Sequence, residues 1–133
     1  MPKMSMRPEK NRAAYIWEAL TAARNVRLIV ADVSLDHYIG DLLVESATER
    51  QIEIVGEALR GLRRRDEVLA ERIPHVHKII GMRNILVHGY AQVDSSIVWT
   101  AATKDVCALI PVLERLLAEF DREAGDVRGE SHA

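Results

Sequence analysis

Residues Gly81 to Tyr90 read Gly-Met-Arg-Asn-Ile-Leu-Val-His-Gly-Tyr, and the apolar positions Val76, Ile79 and Ile80 lead into them. Apolar residues at these steps predict a buried helix over roughly Val76 to His88. Pro74 marks the break before it, and Gly89, which readily takes the left-handed conformation, its end. The helix would carry an arginine, an amide and an imidazole, with a phenol just beyond, all within about two turns. Polar groups emerging from a rigid element are held in place, and groups of these types suit a phosphodiester.

The spacing Arg-x4-His is weak by itself. With fourteen arginines and five histidines in the chain, roughly half an instance is expected by chance. It occurs twice, as Arg72 with His77 and as Arg83 with His88. Pro74 interrupts the first pair and would break the helix that orients it. In the second, Asn84 and His88 at i and i+4 share a helix face, while Arg83 and His88 sit about 140° apart. Arg83 and Tyr90 would fall on one line if the helix continued past Gly89. A site shared with a second copy of the same helix would relieve the remaining geometry.

Outward from this segment the chain reads as further helices. From about Glu9 to Val33, the residues Ile16, Leu20, Ala23, Val26 and Val30 form an amphipathic stripe. Ser34 or Asp36 can cap the next element, and Ile52, Val55, Leu59 and Leu62 predict one long helix over about Leu35 to Arg65. Gly40, Gly56 and Gly61 weaken it locally. Asp94, Ser95 and Ser96 can cap a short helix bearing Trp99, and Leu109, Leu113, Leu116 and Phe120 set a final stripe. Pro111 lies in the first turn of that last helix or kinks it. Residues 125–133 are small and polar, which is expected of a mobile tail behind a single domain of residues 1–124.

Composition agrees with an all-α class. The 133 residues suffice for one core, and 48% are hydrophobic but only 5% aromatic. The net charge of −2 gives no general affinity for nucleic acid, so RNA binding would need a local basic patch. The segment from Arg60 to Arg83 holds Arg60, Arg63, Arg64, Arg65, Arg72, Lys78 and Arg83 against Asp66, Glu67 and Glu71. It can steer an RNA backbone or be a self-neutralised, solvated helix end. One cysteine makes no intrachain disulfide, no apolar run approaches a membrane span, and no signal peptide is visible. The expectation is a cytoplasmic protein with no membrane partner.

RNA carries its own nucleophile, the 2′-hydroxyl, so cleavage needs a base, an acid and positive charge, without strict need of metal. A histidine serves as base or acid near neutral pH, and an arginine donates paired hydrogen bonds to phosphate. One chain supplies one of each at His88 and Arg83, and a two-fold homodimer supplies two. The structural alternative pairs Arg83 with a core acid such as Glu57 and leaves His88 at a helix C-terminus, where an imidazolium is favoured. Asn84 is a supporting residue, either a phosphate or ribose donor or a group that orients His88.

Arg83 to Tyr90 resembles the Arg-x4-His-x-Tyr signature of the HepT-like toxins of the HEPN superfamily. Arg50 to Leu59 is similar to that family's second-helix segment, Ile73-Pro74 precedes the signature at the usual interval, and Val93-Asp94 through Trp99 resembles the family segment on its C-terminal side. The likeness covers roughly residues 11–118 in family order. Two departures touch packing only: His75 stands where the family commonly has Trp, and Cys107 where it often has Pro. The resemblance implies a HEPN-type up-and-down bundle of four to five helices, paired about a two-fold axis. It implies a metal-independent endoribonuclease toxin that cuts an RNA substrate at the dimer interface with Arg83 and His88. It also implies a cognate minimal nucleotidyltransferase antitoxin that silences the toxin by adenylylating Tyr90, which otherwise reads as an ordinary interfacial tyrosine. The alternative is a HEPN-type nucleotide- or protein-binding module without cutting activity, or a purely structural helical dimer.

Other clusters read as structural, and no cofactor or metal is expected. His75 and His77 would point to different sides of a helix, with no Cys or acidic cluster to complete a ligand set. Glu53 and Glu57 form a carboxylate pair at i and i+4, but Arg50 and Arg60 are near enough to make them ion pairs. Cys107 reads as a small core hydrophobe.

Overall fold

The computed structural model describes residues 10–89 and 93–132, with side chains through Gly125. The fold is all-α, 84% helical and without strands among the described residues, in keeping with a HEPN-type bundle. Helix α1 spans Arg12–Val30, α2 Leu35–Tyr38, α3 Leu42–Arg65, α4 Glu67–Ala70 and α5 Val76–His88. Helix α6, Ser95–Thr100, runs through a π-helical stretch, Ala101–Val106, into α7, Cys107–His132.

Short polar side chains start most of these helices by accepting from an otherwise orphaned backbone N–H. Asn11 accepts from Ala14, Ser34 from His37, Asp41 from Val44, Asp66 from Leu69 and Asp94 from Ser96. The signature helix α5 has the predicted bounds. Gly89 ends it in the left-handed conformation at φ 59°, its N–H donating to the Ile85 carbonyl at 3.0 Å.

Two sequence expectations are corrected. The single long helix expected over Leu35 to Arg65 is two, because Gly40 at φ 87° turns the chain and Asp41 caps a fresh start. The short helix bearing Trp99 is not separate from the last one; the π-helical stretch joins them with no break. Pro111 sits inside α7, on its exposed side. The backbone of α7 is helical through His132.

Helix α1 packs along α3 on one side and α7 on the other, and α5 packs on the far side of α3. The core between them takes Ile16, Leu20 and Val26 from α1, Ile52, Val55, Leu59 and Leu62 from α3, Ile79 from α5, and Leu109 and Leu113 from α7. Fully burying side chains of this size stabilises by roughly 1.5–3 kcal/mol each, before conformational entropy is subtracted. Contrary to the sequence reading, helix Ser95–Gly125 is long and apolar enough by composition to match a membrane span. Much of that apolar surface lies in the core, at Val98, Ala101, Ala102, Val106, Leu109, Ile110, Leu113 and Leu116.

Candidate functional site

Helices α3 and α5 meet closely because Gly56 has no side chain. A Cβ there would fall 2.3 Å from the Arg83 Cβ and 3.1 Å from the Ile79 carbonyl oxygen. The aliphatic stem of Arg83 therefore lies directly on the α3 backbone, and only 16% of its side chain is exposed. A glycine in mid-helix costs propensity but permits this close approach.

The guanidinium is held at its tip. Its Nη2 is 2.8 Å from Glu57 Oε2, and its Nη1 donates to Asn84 Oδ1 at 2.9 Å. Its Nε is buried with no hydrogen-bond partner among the described residues. Glu57 Oε2 also lies 3.7 Å from Arg60 Nη1, and its side chain is half exposed. An ion pair facing water on one side is worth about 1 kcal/mol or less. A phosphate, which accepts paired hydrogen bonds from arginine, can therefore displace Glu57 at modest cost.

His88 is the exposed last residue of α5, one residue before the Gly89 turn, and Asn84 is exposed one turn earlier on the same face. The contact seen for Asn84 is with Arg83. Tyr90 lies outside the described residues. Beside Arg83, a cleft of about 460 Å³ opens between α3, α5 and the start of α1. Its walls include Arg83, Val87, Glu53, Glu57, Arg50 and Tyr15.

The carboxylate pair on α3 is accounted for by ion pairs, Arg50 with Glu53 at 3.4 Å and Glu57 with Arg83 and Arg60. His75 and His77 diverge. His75 Nε2 faces Asp105 at 3.8 Å, while His77 contacts Glu71 through Nε2 at 2.6 Å and Arg63 through Nδ1 at 2.9 Å. No three His, Cys, Asp or Glu side chains among the described residues gather as a metal-ligand set. Cys107 is half buried, and that burial pushes its thiol pKa up, with Arg27 opposing weakly.

The basic segment is largely self-neutralised. Arg60, Arg63, Arg72, Lys78 and Arg83 meet Glu57, His77, Glu119, Asp105 and Glu57 respectively. Arg64 makes no ion pair with a described residue and faces the cleft. Sequence reading missed this wall, formed by Lys10, Tyr15 and Arg64. The one available signal was Gly61, five residues after Gly56 in a helix, where a glycine marks close approach. A Cβ on Gly61 would fall 2.3 Å from Tyr15 Cε1.

Comparison with known proteins gives this arrangement a family. The model of the HepT-like ribonucleases matches residues 19–117. A candidate RNase of Methanocaldococcus jannaschii is 30% identical over 95 residues, covering 70% of this chain and 84% of that protein. A candidate RNase of Caldanaerobacter subterraneus subsp. tengcongensis is 31% identical over 91 residues, 68% of this chain and 77% of that protein. A candidate ribonuclease HepT of Thermococcus cleftensis is 23% identical over 108 residues, 81% of this chain and 97% of that protein. No solved structure matches significantly. With three-quarters of its length inside the family's bounds, and with Arg83 and His88 on one helix beside an open cleft, the chain belongs to the HepT-like ribonuclease family.

Proposed function

We propose that the protein is a metal-independent endoribonuclease, the toxin of a toxin–antitoxin pair, acting in the cytoplasm as a two-fold homodimer. The observation that carries this reading is Arg83, whose guanidinium is packed by its stem on Gly56 and held at its tip by a displaceable, solvent-facing carboxylate. In the proposed reaction, a phosphate of the RNA takes the place of Glu57 on Arg83. His88 of one copy removes the 2′-hydroxyl proton, the oxygen attacks the adjacent phosphorus, and His88 of the second copy protonates the departing 5′-oxygen. The products are a 2′,3′-cyclic phosphate and a free 5′-hydroxyl, and Arg83 offsets charge on the phosphorane.

A minimal nucleotidyltransferase is the proposed antitoxin, transferring an adenylyl group to Tyr90. The added phosphate and base beside Arg83 would compete with RNA for the same donors.

Mixing His88→Ala chains with Arg83→Ala chains tests the shared site, in chelator and with a ribo-oligonucleotide. Each variant alone should be inactive, and the mixture should regain activity. A mixture that forms heterodimers yet stays inactive overturns the composite site, and cleavage of DNA, or of RNA only with added divalent cation, overturns the 2′-hydroxyl chemistry.

A further inference from the structure

Past Arg83 the cleft continues into a second recess of about 350 Å³, lined by Lys10, Tyr15, Gly61, Arg64 and Arg65. No carboxylate lines it, in contrast to the cleft at Arg83, which Glu18, Glu53 and Glu57 also line. Tyr15, Gly61, Lys10 and Arg64 belong to both spaces, so the two are continuous. The ring of Tyr15 is seated on the bare backbone of Gly61, which fixes its position on the groove between α1 and α3. Lys10 Nζ stands 5.5 Å from the ring centroid, and its partner Glu18 lies 2.8 Å away on the far cleft wall. Arg64 has no ion-pair partner among the described residues.

A fixed aromatic ring ringed by cations, with no acid in the wall, matches one chemical class above others. The ring offers a stacking surface for a nucleobase, and the cations attract the phosphate that accompanies it. A paired base has both faces already stacked, so the class is single-stranded nucleic acid. The combined volume falls in the range of sites that take a small organic group. We infer that Tyr15 and Arg64 form a subsite for one unpaired nucleotide flanking the scissile phosphate, so that the preferred substrate is single-stranded RNA. The inference rests on the ribonuclease reading for its direction, since Arg83 defines where the scissile phosphate lies.

The test measures binding apart from cutting. Full-length protein carrying His88→Ala is titrated with a labelled single-stranded ribo-oligonucleotide and, separately, with the same strand annealed to its complement. Tyr15→Leu, which keeps a comparable apolar bulk on Gly61 but loses the stacking face, should weaken single-strand binding about tenfold. Tyr15→Phe should bind as the parent does. Arg64→Gln, an exposed change without packing consequences, should weaken binding and lower the salt dependence by about 0.7 in log–log slope. Equal affinity for the duplex, or unchanged binding by both Tyr15→Leu and Arg64→Gln, overturns the subsite. Cleavage by the unmodified protein is scored in parallel. Tyr15-dependent binding without any cleavage keeps the subsite and removes the ribonuclease reading, and cleavage with indifferent Tyr15 and Arg64 does the reverse.

Discussion

The chain holds the same spacing of arginine and histidine at the two ends of one structural unit, and the surroundings treat the two pairs in opposite ways. Arg72 and His77 straddle the start of α5. Arg72 turns to Glu119 on α7 at 3.0 Å, and His77 turns to Glu71 and Arg63. Each is consumed by an exposed contact of its own, and no cleft contains both. Arg83 and His88 lie on the continuous part of α5, where the close seat on Gly56 drives the arginine to the edge of a 460 Å³ cleft. Spacing along a chain does not make a site. What separates the two pairs is a proline in one, and in the other a glycine on a neighbouring helix that no spacing rule includes.

The largest expected effect breaks this contrast directly. Arg83→Ala and His88→Ala should each lower RNA cleavage by a factor on the order of 10³, with the melting temperature nearly unmoved. Arg72→Gln and His77→Gln should leave the rate near that of the parent. Comparable losses at both pairs, in single-turnover measurements, would mean that the proposed site is misplaced.

Two glycines sharpen the comparison in stability. Gly56→Ala puts a methyl group where Arg83 and the Ile79 carbonyl already stand, so α3 and α5 must separate, at a cost of about 1–3 kcal/mol. Gly81→Ala, on α5 itself, meets nothing within 4 Å, and should stabilise by about 0.5–1 kcal/mol through helix propensity. Denaturant melts of the two variants should therefore move in opposite directions. A neutral Gly56→Ala would show that the helices are looser than their contact implies.

The smallest effect concerns the hinge between α3 and α4. The Leu69 N–H and then the Arg12 guanidinium, 2.9 Å away, hold the Asp66 carboxyl below the usual carboxylate range. A folded pKa depressed in this way contributes stability that is present above the unfolded value, about 3.9, and lost as pH falls through the folded one. Asp66→Asn should thus lower the melting temperature at neutral pH and have a shrinking effect in acid. A pH-independent difference between the two proteins would assign the effect to packing instead.

Much of this architecture is legible in the sequence, because it depends on local signals. The bounds of α5, the break at Pro74, the Gly89 terminus and the caps at Ser34 and Asp94 come from residues within a turn of the feature they control. Gly40 reads in the sequence only as a weak point in one helix, since a glycine's φ is set by the packing on both sides of it. The π-helical stretch has no distinctive composition, and its register comes from tertiary contacts. At the site, Glu57 is readable as a partner for Arg83 because it sits on the adjoining helix stripe. The wall made by Tyr15, Gly61 and Arg64 is not, because it joins residues far apart in the chain and only the packing of α1 on α3 brings them together.

The π-helical stretch also constrains how the chain can vary. Its extra residue sets the phase between α6, where Trp99 Nε1 donates to the Val33 carbonyl at 3.0 Å, and α7, whose Leu109 and Leu113 are fully buried. Removing one residue from Ala101–Val106 would restore ordinary helical winding and rotate one half against the other by about 100°. Either the indole leaves its acceptor or the leucines leave the core. Substitutions in this stretch are therefore cheap relative to deletions, and related chains that lack the wide turn must re-anchor one half of the C-terminal helix.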